Sequence, residues 1–106
     1  MRIEKSWGHE LVVHNEGYCL KLLVYERPIA SSYHYHERKH ECFFVHSGRF
    51  QIEINESVPS TLLPTDRVVI PPRTNHRIRC IEPGIIVEAS TFDDPEDCVR
   101  LIPSEA

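Results

Sequence analysis

The chain lacks any apolar run of the roughly 20 residues that a membrane-spanning helix needs, and its opening MRIEKSWG is not a signal peptide. No membrane association is expected, and a cytoplasmic location is. The chain also lacks a run of basic residues. Its 12 Lys and Arg stand against 16 Asp and Glu, for a net charge of −4. That excludes the electrostatic footprint of a nucleic-acid binder. There is no Cys-x-x-Cys pair: Cys19, Cys42, Cys80 and Cys98 lie far apart. In a cytoplasmic chain such cysteines are expected to be reduced rather than bridged. No convincing amphipathic helix, fixed-period repeat or low-complexity tract is present. At 106 residues the chain is read as one domain, 1–106, with one core.

What is present is a series of short apolar runs broken by Pro, Gly, Asn and Asp. ELVVHN (10–15), YCLKLLVYE (18–26), YHYH (33–36) and ECFFVH (41–46) come first. RFQIEIN (49–55), RVVI (67–70), HRIRCI (76–81) and IIVEAST (85–91) follow. In RFQIEIN, Phe50, Ile52 and Ile54 alternate with polar residues, as on a half-buried strand. Strands of this length between turn signals indicate an all-β sandwich or barrel. A small jelly-roll barrel accounts for the whole chain. ESVPSTLLPT (56–65) reads as the connection between its halves, and PEDCVRLI (95–102) as a terminal turn or last strand.

The stretch His34 to Gly48, HYHERKHECFFVHSG, carries the chemistry. Seven histidines is a high count, and four of them fall between His34 and His46. Residues i and i+2 on a strand point to one face, so His34 and His36 can aim at one ion. ERKH is a short polar loop, Glu41 opens the next strand, and Gly48 ends it in a turn. His76, in IPPRTNHRI, is the fourth candidate ligand. Three imidazoles and one carboxylate can hold a divalent metal with coordination positions left open. Zn, Mn, Fe, Ni and Co all accept that set. Taken singly, each of these residues has a plainer reading as a surface or satisfied polar group; the constellation carries the weight. His9, His14 and His46 are read as surface or rim residues, and His40 as a loop residue.

Lys21 interrupts the run YCLKLLVY. Either it lies on a face open to solvent or a partner, or it points into the barrel. In the second case burial would lower its pKa and suit it to proton transfer. Arg77 and Arg79 alternate with Ile78 and Cys80, so the arginines are expected outside and the apolar pair inside. Arg73, at the expected barrel mouth, is the candidate for binding an anionic substrate group. Cys80 is read as a buried thiol that could line the cavity, and Tyr33 and Tyr35 as packing outside or in a dimer interface.

The pattern resembles the two-part cupin signature, G-x5-H-x-H-x4-E-x6-G and G-x5-P-x-G-x2-H-x3-N. His34, His36, Glu41, Gly48, Pro71 and His76 fit it. The three internal glycines are replaced by Pro28, Thr65 and Arg73, and the final Asn by Cys80. The four metal positions are intact and the turn positions are not. The flanks EKSWGHELVV, YCLKLLVYERP, IPPRTNHRI and EDCVRL resemble those of mannose-6-phosphate isomerase-like cupins, through Trp7, Gly8, Lys21 and Pro28. The spacing from His-x-His to Glu is two residues longer than in the guanylyltransferase-linked domain of that group. Ser32 also stands where that group often has glutamine.

That resemblance implies a metal-dependent aldose–ketose isomerase acting on a sugar or sugar phosphate. One divalent ion would sit on His34, His36, Glu41 and His76, with Lys21 as acid–base and Arg73 on the substrate. Two other readings stay open: an Fe(II)-dependent dioxygenase of a small polar substrate, and a non-catalytic metal- or sugar-binding cupin. A homodimer is expected, because RIEKSWG has little to pair with in so small a barrel and open edges are a liability.

Overall fold

The structure is a computed structural model that describes residues 1–106. Eleven strands form two antiparallel sheets. The first has the order β1 (Arg2–Lys5), β2 (Gly8–Asn15), β3 (Tyr18–Tyr25), β10 (Gly84–Thr91), β5 (Glu41–Val45), β8 (Arg67–Ile70). The second runs β11 (Cys98–Ile102), β4 (Tyr33–His36), β9 (His76–Glu82), β6 (Arg49–Ile54), β7 (Ser60–Leu62). The fold is all-β, a jelly-roll barrel, as the strand pattern indicates. No helix is long and apolar enough to cross a membrane.

Two strands lie where none is expected from the sequence. β7 falls inside the 56–65 connection and pairs with β6. β1 pairs with β2 of its own chain, Arg2 opposite Leu11 through Lys5 opposite Gly8. The N-terminal segment therefore does find an intramolecular partner, because the Ser6–Trp7 turn folds it back on β2. The 95–102 segment is both things at once: a 3-10 turn at Pro95–Asp97, then β11.

Alternation puts one side of each strand inside, and the inward side changes character along its length. On β3 the buried residues run Cys19, Lys21, Leu23, Tyr25; on β9, His76, Ile78, Cys80. On β5 they run Glu41, Phe43, Val45, and Ile86 precedes Glu88 on β10. Pairing these strands in antiparallel register gathers the apolar ends into a core around Trp7, Tyr25, Phe43, Phe50, Ile78 and Ile86. Trp7 stacks on Tyr25 with ring centroids 4.1 Å apart, and Tyr25 meets Phe50 edge-on at 5.1 Å. The same pairing gathers the ionisable ends at the other end of the barrel.

The turn positions keep the shape that glycine would allow. Thr65 (φ 73°) and Arg73 (φ 60°), which stand where the cupin signature has glycine, both occupy the left-handed region. Each is held by a backbone bond, from Thr65 N–H to the Val45 carbonyl (2.8 Å) and from Arg73 N–H to the His36 carbonyl (2.7 Å). Gly48 (φ 88°) has no such latitude, since a Cβ there would meet the Glu82 carbonyl oxygen at 2.7 Å. Tyr33 is buried rather than at an interface, and its hydroxyl accepts from the Glu56 N–H at 2.9 Å.

Candidate metal centre

His34 and His36 share β4, His34 lies opposite His76 of β9, and Glu41 arrives from β5 of the facing sheet. The ring centroids of His34 and His76 are 4.5 Å apart, and those of His34 and His36 are 5.0 Å apart. Glu41 Oε2 is 3.3 Å from His76 Nε2 and 3.6 Å from His36 Nε2. His36, Glu41 and His76 thus bring ligand atoms within 4.8 Å of one another, and the His34 ring adjoins those of His36 and His76.

The free atoms of these residues fit a cation. His76 Nδ1–H donates to the Thr74 carbonyl (2.9 Å) and His34 Nδ1–H to the Ser32 carbonyl (3.1 Å). At His76 that bond sets the tautomer that leaves Nε2 as a lone pair, while at His34 the Ser32 hydroxyl also reaches Nδ1, at 2.9 Å. His76 Nε2, Glu41 Oε2 and His36 Nδ1 are buried without any hydrogen-bond partner. Buried polar atoms are rarely orphaned, and a divalent ion among them would satisfy the first two at once. Burial, with His76 and His36 alongside, pushes the His34 pKa down to about 3, and burial lowers that of His36. Burial disfavours the Glu41 carboxylate, but the adjoining His76 ring and the Lys39 charge outweigh it and hold its pKa low. Burial therefore favours neutral imidazoles at His34 and His36 and the Lys39 charge favours an ionised Glu41, the protonation states a metal requires. Cys98 on β11, opposite His36, brings a thiol within 4.8 Å of His34 and His36 ligand atoms.

Beside Glu41 lies a buried charge network that the sequence reading did not single out. Lys39, in the ERKH loop, turns inward. Its Nζ is 2.8 Å from Glu88 Oε2, 2.9 Å from Asp93 Oδ1 and 3.4 Å from Glu41 Oε1. The loop is pinned by Asp97, whose carboxylate accepts from the backbone N–H groups of Glu37, Arg38 and Lys39 at 3.0–3.2 Å. Glu88 had a signal: it shares strand parity with the inward-facing Ile86. Lys39 had none, because only the anchored loop turns it inward.

Lys21 points into the barrel, 2.6 Å from Asp93 Oδ2 and 3.2 Å from Glu10 Oε1, opposite Glu88 in the sheet. Its pKa differs from the expectation. Burial does act to lower it, but Glu88, Glu10 and Asp93 outweigh burial and raise it. Lys39 is raised against burial by Glu88, Glu41 and Asp93. Asp93 is held down to about 2 against burial by the two lysines. Burial raises the Glu88 pKa despite Lys39.

Arg73 is not brought to the cavity. Its side chain is 78% exposed and its Nε donates to Glu37 Oε2 (3.2 Å). Left-handed backbone at residue 73 aims the side chain outward. Cys80 is buried in the apolar core, where burial pushes its thiol up to about 11, and it does not line the cavity. Ile78 faces in, while Arg77 and Arg79 bond the C-terminal segment through the Pro103 carbonyl and Glu105. His9 is buried against Glu26 at 2.6 Å rather than at the surface. His40 is exposed and anchors its loop only through its backbone. The metal cluster and the charge network line one cavity of about 360 Å³, room for one small ligand.

Comparison with known proteins agrees with this fold. The sequence pattern of the family described as Cupin domain matches residues 24–89. KdgF from Halomonas sp. is similar at 21% identity, over 83% of this chain and 81% of that one, with a TM-score of 0.75. An RmlC-like cupin from Shewanella frigidimarina is similar at 16% identity, over 91% and 86%, with a TM-score of 0.77. A candidate sugar phosphate isomerase from Acidithiobacillus ferrooxidans is similar at 20% identity, over 74% and 53%, with a TM-score of 0.66. Among curated proteins none matches the chain.

Proposed function

The chain belongs to the cupin domain family, and on that premise we propose that it is a metal-dependent, aldose–ketose isomerase-like enzyme acting on a small sugar or sugar phosphate. The observation that carries the reading is the set of orphaned ligand atoms, His76 Nε2 and Glu41 Oε2, beside His34 and His36. They open into a cavity whose wall also holds the network of Lys21, Lys39, Glu88 and Asp93. The likeness of the chain's flanks to mannose-6-phosphate isomerase-like cupins, and a structural neighbour named for sugar phosphate isomerisation, support the substrate class.

His34, His36, Glu41 and His76 would hold one divalent ion. Such an ion supplies a Lewis acid that polarises a carbonyl and its neighbouring hydroxyl. Lys39, at 3.4 Å from Glu41 Oε1, orients that carboxylate so that Oε2 faces the imidazoles. Lys21, kept as an ammonium by its three carboxylates, serves as proton donor rather than base. The base role falls to Glu88, the carboxyl on the same wall, whose pKa burial raises. We place the enzyme in the cytoplasm, where its four free cysteines stay reduced. We also propose a homodimer, formed through the open outer edge of β1, with sedimentation at micromolar concentration as its test. A species near the 12.4 kDa of one chain would remove the dimer.

The test of function is anaerobic sugar interconversion, followed by NMR, after loading with each of Zn, Mn, Fe, Ni and Co. Exchange with any of them, lost in Lys21→Met with little change in substrate affinity, is the expected result. No exchange, with oxygen consumed only by the iron-loaded protein, would replace the isomerase by a dioxygenase. His36→Ala should abolish bound metal, read by elemental analysis. Unchanged metal content in that variant would remove the metal centre itself.

A further inference from the structure

The cavity wall carries basic side chains, and all but one are neutralised. Lys5 is 4.0 Å from Glu10, Lys21 is bound by Glu10 and Asp93, and Lys39 by Glu88, Asp93 and Glu41. Arg100 also lines the cavity, and its guanidinium makes no ion pair or hydrogen bond. Elsewhere in the chain, Arg2, Arg38, Arg49, Arg73 and Arg79 pair with carboxylates, and Arg27 and Arg77 bond backbone carbonyls. Arg67, which pairs with Phe44 at the other end of β5, is also free but does not line this cavity.

The register explains why Arg100 faces the site. On β11, Cys98 lies opposite His36 and Arg100 opposite His34. Directly opposed residues of an antiparallel pair project to the same face, so Arg100 stands beside a candidate metal ligand. The pairing is irregular between Arg100 and Ile102, and a bulge at that place re-aims the side chain next to it.

Resting on the metal-centre reading, we propose that Arg100 is a substrate-binding residue that selects an anionic ligand. Its planar fork takes a carboxylate or phosphate while the ligand's oxygens reach toward His34 and Glu41. This assigns to the β11 strand the anion recognition that the sequence pattern suggested for Arg73.

The test titrates zinc-loaded protein with galacturonate, glucose 6-phosphate and glucose, and follows binding by NMR. Wild type should bind one of the two anions at least about 10-fold more tightly than glucose, and the preferred anion tells carboxylate from phosphate recognition. Loss of a charge-assisted, bidentate contact should weaken that anion by about 10- to 100-fold in Arg100→Gln, with zinc content and glucose affinity unchanged. Arg100→Lys should recover only part of the loss, and Arg67→Gln should match wild type. Equal anion affinity in wild type and Arg100→Gln would overturn the proposal, as would a wild type indifferent to charge. If wild type takes up no zinc, the metal-centre reading fails. The anion preference measured without zinc then still decides on Arg100.

Discussion

Replacing Lys39 by methionine keeps the length of the side chain and deletes its charge. Three carboxylates lie within 3.4 Å of the Nζ: Glu88 at 2.8 Å, Asp93 at 2.9 Å and Glu41 at 3.4 Å. The lysine side chain is 3% exposed, so water cannot take its place. Removing one partner of a buried ion pair costs about 3–5 kcal/mol, because the other charge remains buried and unpaired. Methionine fills nearly the same volume, so the packing contribution is small. Lys21 still faces Asp93 and Glu88, which puts the expected loss near the lower bound, about 3 kcal/mol. Against a total stability of about 5–15 kcal/mol for a domain, that is a large share. It corresponds to a fall in melting temperature on the order of 12–15 °C for a chain of this size. Thermal unfolding of metal-free protein, followed by circular dichroism, measures it. A divalent ion beside Glu41 restores part of the missing positive charge, so the gap between variant and wild type should narrow when zinc is added. A metal-free Lys39→Met protein melting within about 3 °C of wild type, well under 1 kcal/mol, would refute the claim that this lysine neutralises the carboxylates.

Asp97→Ala removes the acceptor for three backbone N–H groups of the ERKH loop. It should cost about 2–4 kcal/mol and speed amide exchange at Glu37, Arg38 and Lys39, while unchanged exchange there would argue against the anchor. Thr65→Gly relieves a left-handed β-branched residue (φ 73°). After the extra chain entropy of glycine, a net gain of about 0.5–1 kcal/mol is expected in denaturant unfolding, and a loss would contradict the strain. Asp93 has its folded pKa held down to about 2, below the roughly 3.9 of an unfolded chain. Its stabilisation is therefore complete above about pH 4 and is lost as pH falls through about 2. Asp93→Asn should flatten the dependence of stability on pH in that window; an unchanged slope would show that Asp93 does not contribute it.

The sequence by itself determined most of the strands, the all-β class and four residues that line one cavity. Alternation and His-x-His parity are local properties: a strand fixes which side chains share a face whatever lies opposite. Lys21 could be placed on an inward face by the same parity, but not its charge state, which depends on Glu88, Glu10 and Asp93 from three other segments. Glu88 was readable as a charge at an inward position of an apolar strand. Lys39 was not, since its direction follows from a loop held by Asp97, some 58 residues away. Arg73 and Arg100 show the same division. The sequence pattern places Arg73, and not Arg100, at the barrel mouth. The left-handed backbone at Arg73 turns its side chain out to Glu37, while the register of β11 on β4 sets Arg100 beside His34. Which face a strand residue occupies is decided by its neighbours in the chain. Which charges it meets is decided by strand pairings between distant segments, and those exist only once the sheets have closed over the core.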